Sequence, residues 1–153
     1  MRKFLCLSSV LGLVILVLDQ VTKVIVEQRF YLGESIPVLP FFSLTYVRNQ
    51  GAAWGMFQGA HYFLAGFAVL AMVVLALFWR TFFGNDRRVL PLVGGLFAGI
   101  LGNFIDRIRL GYVVDFLDFY WGAYHFPCFN IADCAICLSV FGIILLQWWT
   151  KEA

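Results

Sequence analysis

Residues 89–107 read VLPLVGGLFAGILGNFIDR. The run is apolar until Asn103, Asp106 and Arg107, which end it. A charge buried in hydrocarbon is costly unless it is paired or faces a water-filled site, so these three positions carry information. They are spaced i, i+3, i+4, which places them on one helix face. Gly95, Gly99, Gly102 and Asp106 also recur at helical spacing. Such a small-residue stripe, with a GxxxG within it, lets a second helix pack closely. The stripe leads to the polar cluster, so the cluster is predicted to face the interior of a helix bundle.

Composition agrees. The chain has 153 residues, 62% hydrophobic and 13% charged, where a soluble domain carries about 25% charged residues. The class is an all-α membrane protein, and the length suits a single integral domain over residues 1–153. A net charge of +2 with scattered basic residues excludes a nucleic-acid patch. A spanning helix needs ~20 mostly apolar residues. Four stretches qualify, at about 4–26, 60–79, 89–107 and 129–149. The first follows two basic residues as a secretory signal does. No small-x-small cleavage site comes after it, so a retained helix is expected.

Arg2, Lys3, Arg80, Arg87, Arg88 and Lys151 fall on one side of this four-span layout, which the positive-inside rule makes cytoplasmic. Both termini are then cytoplasmic. Asp19 and Lys23, an i, i+4 pair, lie at the outer end of the first helix. Asn103, Asp106 and Arg107 lie at the outer end of the third, and Asn130 and Asp133 at the outer start of the fourth. Asn49 and Asp115 lie in the two outer connections. The first connection, 27–59, contains FFSLTYV at 41–47, which predicts strands in a small β-rich cradle. Gly51-Ala52-Ala53 after Asn49 predicts close backbone packing there. The second connection, 108–128, is aromatic and reads as an interfacial loop. Pro127 followed by Asn130 reads as a helix start, and the helix dipole favours a charge on Asp133 nearby.

Carboxylates are the best supply of chemistry. Two of them held together cannot both ionise easily, and such a pair can activate water for attack on an amide. The two histidines, His61 and His125, form no Ser-His-Asp set, and no His/Cys cluster has metal-ligand spacing. No cofactor is implied. Asp106 with Arg107 reads as an ion pair at the bundle rim, and Asp118 as a solvated loop charge. Two other classes remain open: a proton or ion carrier, from the intramembrane carboxylates, and a thiol oxidoreductase built on Cys134 and Cys137. The residues alone do not choose Asp115 over Asp106 or Asp118.

DQVTK at 19–23, RNQGAAWG at 48–55, GNFIDRIRLGYVVDFLDF at 102–119 and FNIADCAI at 129–136 resemble, in order and spacing, the boxes of the bacterial lipoprotein signal peptidase (signal peptidase II) family. The resemblance spans nearly the whole chain. Gln20-Val21-Thr22 and Trp54 are its small departures. It implies an aspartyl endopeptidase of the bacterial inner membrane, with its active site near the outer face. Such an enzyme cuts diacylglyceryl-modified prolipoproteins just before the lipidated cysteine. It implies Asp115 and Asp133 as the catalytic pair. Asp19, Lys23, Asn49, Gly51, Asn103, Asp106, Arg107 and Asn130 are implied as supporting or substrate-binding residues. Membrane lipid, prolipoprotein and cyclic lipopeptides such as globomycin are the implied partners, with the protein expected to be a monomer.

Overall fold

The computed structural model describes residues 2–52, 56–83 and 86–151. Ala53, Trp54 and Gly55 of the Asn49 box lie outside the described residues. Four helices are long and apolar enough to cross a membrane: α1 (Arg2–Arg29), α2 (His61–Phe83), α3 (Leu90–Leu110) and α4 (Ile131–Lys151). Their outward faces carry exposed Leu13, Phe67, Leu77 and Leu138. Helices this apolar on the outside have found their solvent in lipid rather than in water.

The centre of the bundle is α3, packed against each of the other three helices. Its glycines explain why. A Cβ on Gly99 would stand 2.5 Å from the Ala132 carbonyl oxygen of α4, and one on Gly102 would stand 2.5 Å from Oδ2 of Asp19 on α1. Backbones this close admit only hydrogen on α3, as the stripe predicts. The helix starts after a short 3₁₀ turn, Arg87–Val89, capped by the Asp86 side chain accepting from the Arg88 N–H at 3.0 Å. Pro91 occupies its first turn, where no intrahelical donor is lost. It ends at Gly111, whose φ of 77° is the left-handed region, with its N–H donating to the Arg107 carbonyl at 3.2 Å.

That turn aims the chain into a four-stranded antiparallel sheet of order β1-β2-β3-β4, made of Ser35–Leu39, Phe42–Asn49, Val113–Trp121 and Tyr124–His125. The cradle is therefore larger than its expected span. Residues 108–128, read as a loop, supply the strand β3. The aromatic and β-branched content that suits an interface also suits a strand, and the burial of Val113, Val114, Asp115 and Phe116 decides for the strand. Tyr46, Val114 and Phe116 pack with Val26 of α1, fixing the sheet to the bundle. In the β2–β3 pairing, Leu44 opposes Leu117 and Val47 opposes Asp115, so β2 carries one extra residue as a bulge. Beyond it, Val47 and Asn49 lie on the same sheet face as Asp115 and Val113.

Candidate active site

The polar cluster forms one connected network where the sheet meets the helices. Its base is Lys23, almost fully buried. The ammonium has three donors and uses all of them, on Asp19 Oδ2 at 2.9 Å, Asp106 Oδ2 at 3.0 Å and Asn103 Oδ1 at 2.9 Å. Asp19 extends to α4, accepting the Ala132 N–H at 2.8 Å on Oδ1. Asp106 accepts the Val114 N–H of β3 at 3.2 Å. Two carboxylates thus tie three helices and a strand through a single cation. Every buried polar side-chain atom among the described residues has a partner, which a buried charged network requires.

The expected rim pair of Asp106 with Arg107 does not form. Adjacent helix residues point about 100° apart, so they cannot share a partner on one face. Asp106 turns inward to Lys23, while Arg107 donates to the Gly51 carbonyl at 3.1 Å and the Asn103 carbonyl at 3.3 Å. Arg107 thereby pins the turn after β2. The Gly51 N–H in that turn donates to Asn49 Oδ1 at 3.0 Å, which aims the Asn49 amide at β3. Gly51 is close-packed, with no room for a Cβ against the Met56 carbonyl.

Above this base sit Asp115 and Asp133. Asp133 is held at the start of α4 by a reciprocal cap. Its N–H donates to Asn130 Oδ1 at 3.0 Å, and the Asn130 N–H donates back to Asp133 Oδ2 at 3.2 Å. The Asn103 amide donates to Asp133 Oδ1 at 2.7 Å. Asp115 accepts on Oδ2 from Asn49 at 3.0 Å and on Oδ1 from Asn130 at 2.7 Å. Asn130 therefore touches both carboxyl groups, one through its side chain and one through its main chain. Each carboxyl oxygen has one fixed donor and a second lone pair left over. Both groups line one cavity of about 1020 Å³, whose walls include Asn49, Asn103, Arg107, Val113, Pro127 and Phe129.

Burial, and then the charge of Asp133, push the Asp115 carboxyl up to about 7, against the pull of Asn49, Asn130 and Lys23. Near neutral pH Asp115 thus still keeps a proton in about half of the molecules, where an ordinary aspartic acid has lost it. Cys128 also lines the cavity, and burial pushes its thiol up to about 12. It is a thiol and not a nucleophilic thiolate at neutral pH. All four cysteines are free.

All ten residues singled out from the sequence belong to this network. Two others escaped that reading. Gln20 donates to Asp19 at 3.1 Å, Asp106 at 3.2 Å and the Gly102 carbonyl at 3.3 Å. A Gln beside an Asp in an apolar helix was the available signal. Asp118, read as a solvated loop charge, is buried and accepts from Thr45 Oγ1 at 2.8 Å, with His125 Nδ1 also at 2.8 Å. Strand pairing places those partners beside it, and strand pairing is not visible locally.

The family model described as Signal peptidase (SPase) II matches residues 11–149. The lipoprotein signal peptidase of Geobacter metallireducens is 43% identical over 136 residues, covering 86% of this chain and 84% of its own length. That of Syntrophotalea carbinolica is 41% identical over 152 residues, covering 97% and 94%. A solved structure described as a bacterial membrane enzyme superposes with a TM-score of 0.82 at 35% identity, covering 95% of this chain and 89% of that one. A second gives 0.78 at 36% identity, covering 92% and 91%. Matched along its length in sequence and in fold, this multi-pass membrane protein belongs to the signal peptidase II family.

Proposed function

We propose that Asp115 and Asp133 are the aspartyl dyad with which this lipoprotein signal peptidase hydrolyses one bond, the peptide bond just before the diacylglyceryl-modified cysteine of a prolipoprotein. The observation that carries the reading is the pair itself: two carboxyl groups bridged by Asn130 on one cavity, with burial pushing Asp115 up to about 7. Asp133, as carboxylate, takes a proton from a water whose oxygen adds to the scissile carbonyl carbon. Asp115 gives its proton to the carbonyl oxygen, forming a gem-diol. Asp133 then gives its proton to the amide nitrogen while Asp115 takes a proton from one gem-diol hydroxyl, so the C–N bond breaks, releasing the signal peptide's carboxyl end and the amine of the lipidated cysteine and restoring the dyad. This is general acid–base work by two neighbouring carboxyl groups.

Lys23, Asp19, Asn103, Asp106, Arg107, Asn49, Gly51 and Asn130 act by holding the dyad. The positive-inside bias puts both termini in the cytoplasm and the sheet at the outer face of the bacterial inner membrane. There the acyl chains of the substrate lie in the bilayer while the peptide enters the cavity. Binding energy from those chains positions the distant scissile bond. A cyclic lipopeptide such as globomycin competes for the same groove, and the protein works as a monomer. The test compares a diacylglyceryl-modified precursor with the identical unmodified precursor at equal concentration. The modified precursor is expected to be cut far faster, and equal rates would mean the lipid is not read.

A further inference from the structure

Beside the cavity, the β2 edge is open at Arg48 among the described residues. In an antiparallel pair, residues opposite each other exchange both main-chain hydrogen bonds or neither. Arg48 stands opposite Val114. Val114 spends its N–H on Asp106 Oδ2 at 3.2 Å, and its carbonyl accepts from the Asn130 amide at 3.3 Å. Both groups point away from β2, so Arg48 and Val114 form a non-bonded pair. The N–H and C=O of Arg48 must then face the opposite edge.

That edge is covered on both sides of Arg48. Two residues before it, Tyr46 donates to the Glu34 carbonyl at 3.0 Å and accepts from the Gly33 N–H at 2.9 Å. Two residues after it, the Gln50 carbonyl accepts from the Gly59 N–H at 3.3 Å. Among the described residues Arg48 makes no main-chain bond outside the strand ladder, and its ladder partner Val114 spends both of its groups elsewhere. Gly33 and Gly59, which flank the opening, would each have nothing within 4 Å of an added Cβ. The Arg48 side chain is engaged elsewhere, with Nε donating to the Tyr46 hydroxyl at 2.9 Å and the guanidinium over the Tyr46 and Tyr112 rings at 5.5 and 4.8 Å. Arg48 also bounds the same cavity as Asp115 and Asp133.

We infer that the main chain of Arg48 is a docking position for the extended peptide substrate, which adds to the β2 edge by pairing one residue with that N–H and C=O. The inference rests on the peptidase reading above. Edge pairing reads main chain and not side chains, so it suits an enzyme that must accept many precursor sequences. Strands lie about 4.8 Å apart, so a residue paired at β2 lies within about four positions of a bond cut beside Asp115.

The experiment replaces the amides of the modified precursor by esters, one at a time, outside the scissile bond. Each ester removes one N–H donor and little else. One position should raise KM about three- to ten-fold with kcat nearly unchanged, the size of one lost hydrogen bond, while its neighbours behave as the parent. In parallel, amide hydrogen exchange is followed at Arg48 in the Asp115→Asn enzyme. The Arg48 N–H should exchange freely alone and at least about ten-fold more slowly with saturating modified precursor. Uniform KM values along the scan, or unchanged exchange at Arg48, would overturn the edge pairing. Failure of the wild-type enzyme to cut the all-amide parent would instead overturn the proposed function.

Discussion

The proton affinity of Asp115 is raised by its surroundings, and those surroundings can be changed one residue at a time. Burial raises its pKa most and Asp133 adds to that. Asp133→Asn should therefore lower the Asp115 pKa, followed by its carboxyl infrared band, while leaving it above the ordinary 3.8. An unchanged or higher value would mean the two groups do not sense each other. A stability effect follows from the same shift. Between 3.8 and about 7 the folded chain holds a proton on Asp115 that the unfolded chain has released. Stability from this group is thus complete below 3.8 and is lost as pH rises to about 7. Asp115→Asn escapes that loss, so its melting temperature in detergent should gain on the wild type from pH 4 to pH 8. Wild-type cleavage should fall above about pH 7, where the dyad loses its proton. Among the holding residues, Asn103→Ala leaves the Lys23 ammonium short of an acceptor and Asp133 short of a donor. A buried group left unpaired costs about 1–3 kcal/mol, so thermal unfolding should detect the change, and activity should drop with it.

Helix contacts decide where these residues meet. The closest contacts pass through α3. Gly99→Ala puts a methyl group against the Ala132 carbonyl, and Gly102→Ala puts one against Asp19, which is itself locked by Lys23 and the Ala132 N–H. Overpacking of this kind costs about 1–3 kcal/mol, so both variants should melt earlier than the wild type. Gly66→Ala on α2 is the control: its Cβ would meet nothing within 4 Å, and its melting temperature should hold or rise. Loss of stability at Gly66 with none at Gly99 would contradict the packing. The stripe was legible in the sequence because its period is that of a helix. So were the four spans and the cap at Asn130. What was not legible depends on strand pairing. Asp115 and Asp118 are three apart on β3 and so face opposite sides, one to the cavity and one to Thr45 and His125. No local pattern sets that parity, because the turn at Gly111 and the β2 bulge fix it. The resemblance to a family supplied the choice of Asp115 that the residues alone left open. Arg107 shows the converse, since the ion pair suggested by proximity in sequence gave way to two backbone carbonyls.

At the scale of the whole molecule, the bundle gathers its polar residues at one end and leaves lipid-facing side chains everywhere else. A proton carrier would need the network to continue toward the other end, yet α2 brings no carboxylate to it. The proposed orientation can be read with a reporter active only outside the cytoplasm. Fusions near Gly33 or Gly122 should be active, and fusions near Asn85 or after Ala153 silent. The opposite pattern would place the sheet in the cytoplasm. Orientation, lipid reading and edge pairing all serve one central claim, that Asp115 and Asp133 together cut the peptide bond. The most direct test is the cleavage rate of a diacylglyceryl-modified precursor by wild-type, Asp115→Asn and Asp133→Asn enzymes at matched amounts of folded, membrane-inserted protein. Each variant keeps the size of the side chain and loses the acid–base function, so each should be slower by at least about 100-fold. Near-normal cleavage by either variant would contradict the account.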